Sequence, residues 1–359
     1  MRIVIDLTSL SFHMTGIERY ASCVTEEILK QDKINEYVLI FRNEVHQIFK
    51  KSEFDNVKKE VIFGDNKLFF YQFILKRKLN KIKADKYLFF SFPSPIFFRK
   101  KGIINTIHDA TAWDCPKSMK FLQRLYWKIN IKNAVRVSEH IITVSNFSKN
   151  RIITVLKYDE NKIIVAYPGV YKKNFGEKIA ANEFKTKFDF PEKYLLTLST
   201  LEPRKNLEML LKAFSEIQNI VDYSLVLVGR KGWKIDDLIK EYNVNEKVII
   251  TGFIEDKYLS SIYKNAFYFV FPSLYEGFGL PPIESISYGT PVISSNAASL
   301  PEVLMDNAIY FNPNDKDELK KILLKINTQK SKVECKLNDF QKNNFDFSAS
   351  AKKVIKLLK

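Results

Sequence analysis

Tyr268-Phe269-Val270-Phe271-Pro272-Ser273-Leu274-Tyr275-Glu276-Gly277-Phe278-Gly279-Leu280-Pro281-Pro282-Ile283-Glu284 is the stretch that decides the fold. Its first four residues are a short aromatic and β-branched run, the mark of a buried parallel strand. Pro281 and Pro282 suit a helix start, because the first turn has no use for the N–H groups that proline lacks. The segment therefore reads as strand, glycine-rich loop, helix. The mouth of such a helix presents backbone N–H groups and attracts anions such as phosphate. Glu276 and Glu284 set a carboxylate at each end of that anion site. Phosphate alone needs neither, whereas a ligand with hydroxyls on both sides of a phosphate group uses both. A nucleotide-sugar has that form: ribose, diphosphate, hexose.

Short apolar strands alternate with amphipathic helices on either side of this stretch, the pattern of parallel sheets covered on both faces. In the second half, strands are expected over 194–199, 224–228, 248–251, 268–271, 291–294 and 308–311, with helices near 207–217, 235–242, 256–264, 282–288 and 316–325. The clearest strands of the first half are 3–7, 37–41, 103–107 and 140–144, with helices over 17–29, 119–137 and 148–156. The register changes at Val165-Ala166-Tyr167-Pro168-Gly169-Val170, a strand that stops at a Pro-Gly turn, and a polar linker is expected from there to about Pro191. The expected fold is α/β: two Rossmann-like, doubly wound domains over 1–170 and 171–345. A short basic helix over 346–359, with Ser348 as its N-cap, is expected to pack back on the first domain. Two such domains facing each other would bring the carboxyl ends of both sheets to one cleft.

A chain of 359 residues is long enough for two domains, and 46% hydrophobic content is that of a globular protein. No apolar run reaches the roughly 18 residues of a membrane span. The nearest, 87–98, contains Pro93 and Pro95. The first residues read as an immediate strand with no signal segment, and Cys23, Cys115 and Cys335 are too far apart to imply a disulfide framework or a zinc site. A cytoplasmic location is expected. The net charge of +16 is uneven: residues 1–170 hold 29 basic against 17 acidic side chains, residues 171–359 hold 28 against 24. Between 67 and 101 ten basic residues and one acid interleave with Phe69, Phe70, Tyr71, Phe73, Phe89, Phe90, Phe97 and Phe98. A solvated lysine-rich face and attraction to an anionic membrane leaflet both account for this. Nucleic-acid binding is not expected, because no recognition motif accompanies the charge.

Loops after the strands carry the candidate chemistry. Leu201-Glu202-Pro203-Arg204-Lys205-Asn206 puts two adjacent cations where a helix dipole would prefer acids, which suits a diphosphate in front of them, Arg204 as a fork and Lys205 as a point charge. Gly229-Arg230-Lys231-Gly232-Trp233 permits close backbone approach, although a plain turn explains it equally well. Gly252-Phe253-Ile254 offers backbone groups and an aromatic wall to a base; Asn296 or Ser299 serves as a helix cap. In the first half, Gly16 follows Thr15 at a helix start, where it either lets a phosphate or acceptor touch the backbone or simply turns the chain. His108-Asp109 ends a buried strand, which favours function for His108, whereas His13, His46 and His140 have no such placement. No Asp-x-Asp pair follows a strand in the first half, so no metal site is expected; Arg204 and Lys205 would neutralise the diphosphate instead.

These pieces together resemble the family 4 retaining glycosyltransferases, which have the two-domain GT-B fold. The resemblance rests on Thr15-Gly16-Ile17-Glu18-Arg19-Tyr20, Ile107-His108-Asp109, Glu202-Pro203-Arg204-Lys205-Asn206, residues 229–233 and the run from Glu276 to Glu284. It covers most of the chain and is strongest from 195 to 311. It implies that Glu284 binds the donor ribose, that Glu276 and His108 lie near the donor sugar, and that Arg204, Lys205 and the backbone at Phe278-Gly279-Leu280 hold the diphosphate. The run from Pro272 to Pro282 looks like that of bacterial mannosyl- and rhamnosyltransferases of surface polysaccharide assembly. GDP-mannose is the donor the resemblance favours, with a glycan or polyprenyl-diphosphate-linked acceptor. A different GT-B enzyme, such as a sugar-nucleotide epimerase, or an inactive basic adaptor at a membrane surface are the alternatives.

Overall fold

A computed structural model describes residues 1–12, 14–51, 54–170, 183, 187–200, 202–229, 235–244 and 246–359. Its contacts divide the chain into one unit of Met1–Gly169 with Lys342–Lys359, and another of Val170–Gln341. Most of the expected linker up to Pro191 lies outside the described residues.

The first unit is built on seven parallel strands: β1 (Arg2–Asp6), β2 (Glu36–Arg42), β3 (Val57–Ile62), β4 (Lys86–Phe89), β5 (Ile103–Thr106), β6 (His140–Thr143) and β7 (Ile163–Val165). Their order across the sheet is β3-β2-β1-β4-β5-β6-β7. Ile3, Val4 and Ile5 of β1, and Tyr87, Leu88 and Phe89 of β4, are all buried, as central strands covered on both faces must be. Strands β3 and β4 are additions to the sequence reading. The Val-Lys-Lys-Glu-Val-Ile of β3 is a half-exposed edge strand with weak hydrophobic contrast. Strand β4 was hidden in the basic aromatic segment, whose aromatics divide on folding: Phe70, Phe89, Phe90 and Phe98 are core, whereas Phe69, Phe73 and Phe97 are exposed.

The second unit repeats the architecture with β8 (Tyr194–Leu198), β9 (Ser224–Val228), β10 (Val248–Gly252), β11 (Tyr268–Phe271), β12 (Val292–Ser295) and β13 (Ala308–Phe311). The order is β10-β9-β8-β11-β12-β13, again all parallel. Its core gathers Leu195, Leu225, Leu227, Tyr268 and Val270 from the sheet with Leu210, Leu211 and Phe214 from the Leu207–Ser215 helix. In both units the first strand lies between two neighbours reached by opposite crossovers, so each sheet has a switch point: β1/β4 and β8/β11. Doubly wound sheets bind ligands outside the carboxyl ends of the strands at such points.

The last helix, Phe347–Lys356, belongs to the first unit and packs on the Gly16–Gln31 helix. Gln31 Nε2 donates to Ser348 Oγ at 3.0 Å, Lys353 Nζ donates to the Val165 carbonyl at 2.9 Å, and Ser350 Oγ donates to the Tyr167 carbonyl. Asp346, not Ser348, is the N-cap; its carboxylate accepts from the Ser348 N–H at 3.1 Å. Among the described residues, no helix is long and apolar enough to cross a membrane.

Candidate active site

The switch point of the second unit is where the charged residues meet. Pro203–Lys205 form a single 3-10 turn after β8, separated by a left-handed Asn206 from the Leu207–Ser215 helix. Arg204 and Lys205 therefore stand ahead of the long helix rather than in its first turn, and they point at the loop after β11. Arg204 Nη1 donates to Glu276 Oε2 at 3.0 Å and to the Tyr275 carbonyl at 2.6 Å; Lys205 Nζ donates to Glu276 Oε1 at 2.5 Å. The Leu274 N–H returns a bond to the Arg204 carbonyl at 2.9 Å. Below them lies the Phe271 ring, 5.3 Å from the Lys205 ammonium.

Both cations share one carboxylate in a site with little water. Glu276 is only 8% exposed. Burial alone would raise its pKa, but the Lys205 and Arg204 charges outweigh burial and bring it down to about 2. Burial pushes the Lys205 ammonium down, and the neighbouring Arg204 adds to that, while Glu276 pulls it back. Glu202 stands 3.9 Å from Arg204, so the two cations face two carboxylates at the mouth of the next helix.

That helix, Leu280–Ser287, begins after Gly279, whose φ of 98° is left-handed. A Cβ there would come within 2.7 Å of Leu300 Cδ2, so the position requires glycine twice over. Pro281 and Pro282 contribute no N–H, which leaves Gly279 and Leu280 as the donors at the start of the helix. Ser299 precedes the Leu300–Leu304 helix as expected, but its hydroxyl lies 3.0 Å from the carbonyls of both Glu276 and Phe278. It braces the loop instead of capping its own helix. Glu284 is buried in the Leu280–Ser287 helix, its Oε2 accepting from Tyr263 OH at 3.1 Å. Gly229 approaches Ser199 so closely that a Cβ would sit 1.9 Å from the Ser199 carbonyl oxygen, and its N–H bonds the Gly252 carbonyl at 2.9 Å. The ends of β8, β9 and β10 are thereby stitched together. Phe253 then exposes 45% of its surface, whereas Ile254 is buried. The expected contributions of Arg230, Lys231, Gly232 and Trp233 lie outside the described residues.

In the first unit, His108 follows β5 and is packed edge-on against Tyr20 at 5.4 Å. Its Nε2 lies 2.8 Å from the Phe90 carbonyl. A carbonyl only accepts, so Nε2 carries the proton and Nδ1 is the acceptor. Burial lowers the His108 pKa, which keeps the ring neutral. Asp109 turns away to accept from the Thr111 N–H at 2.8 Å. Gly16 opens the Gly16–Gln31 helix behind Thr15, whose N–H donates to Glu18 Oε2 at 2.7 Å.

One feature of this unit has no counterpart in the sequence reading. A cavity of about 750 Å³ opens at the carboxyl ends of β1, β2 and β4, walled by Ser11, Arg42, His46, Tyr71, Phe92 and Trp127 among others. At the end of β1, Asp6 is almost wholly buried, accepting from Thr8 N at 3.0 Å, Thr8 Oγ1 at 2.7 Å and Tyr71 OH at 3.1 Å. The Tyr71 hydroxyl is equally close, 3.1 Å, to the Phe92 carbonyl. Burial raises the Asp6 pKa, and the hydrogen bonds from Thr8 and Tyr71 only partly oppose it. His46, set aside on sequence, lines this cavity; His140 opens β6 at the amino end, and His13 lies outside the described residues. Side chains from separate elements make the cavity, so no contiguous motif announces it. The order of the strands around β1 is the signal that would have found it.

The family model for glycosyl transferases group 1 matches residues 178–345. O-antigen chain mannosyltransferase B of Escherichia coli is 28% identical over 89% of this chain and 88% of that protein. O-antigen chain mannosyltransferase RfbU of Salmonella typhimurium is 31% identical over 58% of this chain and 56% of its own length. Among solved structures, sucrose-phosphate synthase of Thermosynechococcus elongatus superposes with a TM-score of 0.69 over 99% of this chain and 94% of that one, at 16% identity, a likeness of fold. Residues 178–345 are thus a glycosyl transferases group 1 domain, and the chain is a glycosyltransferase with the two Rossmann-like sheets of the GT-B class.

Proposed function

We propose that this enzyme transfers mannose from GDP-mannose to a hydroxyl of a glycan or polyprenyl-diphosphate-linked acceptor, with retention at the anomeric carbon and without a metal ion. The observation that carries the reading is the convergence of Arg204 and Lys205 on Glu276 at the β8/β11 switch point. A diphosphate brought to the Gly279 helix mouth meets two fixed cations and the backbone N–H groups of the first turn. As the C1–O bond to the leaving phosphate breaks, negative charge grows on that phosphate, and donors already in position stabilise it without reorganising. The acceptor oxygen attacks C1 from the same face and its proton passes to the departing phosphate oxygen. Glu284 is assigned to the ribose, Phe253 to the base, and Glu276 and His108 to the hexose. The cavity at the β1/β4 switch point is assigned to the acceptor, because aromatic walls with polar groups between them suit a sugar ring. Mannose rests on the two O-antigen mannosyltransferase relatives, and surface polysaccharide assembly on the cytoplasmic side of the membrane rests on the same likeness.

The test is nucleotide release in EDTA from GDP-mannose, UDP-hexoses and dTDP-rhamnose, with the acceptor extract added or withheld. GDP release from GDP-mannose alone, undiminished by EDTA, and an α-linked product from the α-linked donor are the expected results. Loss of release in EDTA removes the metal-free mechanism. Silence from every donor, with no nucleotide-dependent thermal shift, overturns the assignment.

A further inference from the structure

Most polar groups on the wall of the cavity at the β1/β4 switch point have partners within the chain. Tyr71 OH lies 3.1 Å from both Asp6 and the Phe92 carbonyl, and Tyr126 OH accepts from Gln72 Nε2 at 3.0 Å. Arg42 donates to the carbonyls of Gly64 at 2.8 Å and Asp65 at 2.7 Å, and Lys50 pairs with Glu44 at 2.8 Å. Two oxygens differ. Asn130 Oδ1 and Ser9 Oγ are buried, and neither has a hydrogen-bond partner among the described residues. Both residues line the cavity.

Asn130 stands near the middle of the Phe121–Val137 helix with 1% of its surface exposed. Asparagine is a poor residue for a helix interior, and a buried amide oxygen with nothing to accept from costs stability. An apolar side chain of similar size would serve both helix and core better, so the amide points to a partner from outside the chain. The atom left over gives that partner's chemistry. An ionised phosphate or carboxylate has no proton to offer Oδ1, whereas a hydroxyl has one. Trp127 lies three residues earlier on the same side of the helix and also lines the cavity. Its ring is 5.7 Å from that of Phe92, tilted by 39°. A water molecule would satisfy the amide and leave these rings without a role. A pyranose ring meets both, with hydroxyls around its edge and C–H groups on its faces, and a cavity of about 750 Å³ has room for it.

We propose that Asn130 is a specificity-determining residue for the acceptor: its amide hydrogen-bonds a hydroxyl of a neutral pyranose ring that rests against Trp127, with Ser9 as a second contact. The inference rests on the assignment of this cavity to the acceptor and adds the residue that recognises it and the chemical class that it takes. Sugar binding is measured without donor or turnover, so the two assignments fail separately.

The experiment is saturation-transfer NMR of the full chain with the methyl α-glycosides of mannose, rhamnose, galactose and N-acetylglucosamine, without nucleotide. At least one glycoside is expected to bind the parent, and Asn130→Leu should weaken it by about tenfold, the scale of one hydrogen bond. The same variant should melt at the parent's temperature or above, followed by circular dichroism, because the orphaned oxygen is gone. Trp127→Ala, at a half-buried position, reads the ring contact independently and should weaken the same glycoside by about as much. A purely structural amide, or one held by a buried water, gives the opposite pair for Asn130→Leu: unchanged glycoside binding and a lower melting temperature. That result overturns the proposal, as does a parent that binds none of the glycosides, or a Trp127→Ala protein that binds as the parent does. Glycoside binding that depends on Asn130, with no GDP released from GDP-mannose, supports the sugar site and overturns the donor assignment. GDP release to an acceptor, with glycoside binding untouched by Asn130→Leu, overturns the site alone.

Discussion

Two carboxylates are buried at the two switch points, and their surroundings drive them in opposite directions. Asp6, at the end of β1, bonds uncharged partners among the described residues: the Thr8 amide and hydroxyl and the Tyr71 phenol. Glu276, after β11, meets Arg204 and Lys205. The same burial that raises the Asp6 pKa is overcome at Glu276, which is held at about 2. Burial sets the direction at Asp6, and the facing cations overturn it at Glu276. The first unit therefore sets an acid among uncharged partners, beside a cavity whose walls mix aromatic rings with Glu18, Glu44, Arg42, Lys50 and Lys67. In the second, fixed charge suits a diphosphate.

The sharpest way to break this contrast is to remove Glu276. Glu276→Ala is expected to lower turnover by about a thousandfold, on the scale of losing one preorganised polar group at a reacting centre; turnover within tenfold of the parent would remove Glu276 from the chemistry. A smaller effect separates the two acids by pH. Because the folded pKa of Glu276 lies below its ordinary 4.5, its contribution is full above pH 4.5 and is lost as pH falls toward 2, on the order of 3 kcal/mol. Asp6 has the opposite sign: its raised pKa makes its ionised form a cost above the ordinary 3.8, so stability falls as pH rises through the folded value. Glu276→Gln should flatten the acid limb of the stability profile. Asp6→Asn should leave that limb in place and change stability at neutral pH by no more than about 1 kcal/mol. Urea unfolding between pH 3 and 7 reads both, and identical profiles for the two variants would contradict the assignment of charge.

The second unit was almost fully legible in the sequence. Its strands are short apolar runs separated by glycine and proline, and its site comes from two contiguous loops, so Arg204, Lys205, Glu276 and Gly279 could be named from spacing alone. The partnership was not legible. A run of residues shows two misplaced cations and an acid some seventy positions later, but only the sheet order places β8 beside β11 and so Lys205 2.5 Å from Glu276. In the first unit, β4 was concealed because Lys86 and the neighbouring lysines masked its apolar core, and without β4 neither the β1/β4 switch point nor the cavity could be inferred. The basic aromatic segment misled for a related reason: alternate rings serve the core and the surface, and composition does not distinguish them. Ser299 reads as a helix cap because its position fits one, although its hydroxyl bonds the Glu276 and Phe278 carbonyls of the loop after β11.

The central claim is a division of labour at the second switch point, in which Arg204 and Lys205 hold the diphosphate while Glu276 serves the sugar and, in its absence, occupies the cations. Calorimetric titration of GDP into the parent, Arg204→Ala and Glu276→Ala proteins tests it directly. Arg204→Ala should weaken GDP by about tenfold to a hundredfold, the range for a charge-assisted hydrogen bond. Glu276→Ala should bind GDP as tightly as the parent or more so, since removing the carboxylate releases both cations to the ligand. A loss in Glu276→Ala equal to that in Arg204→Ala would contradict the account.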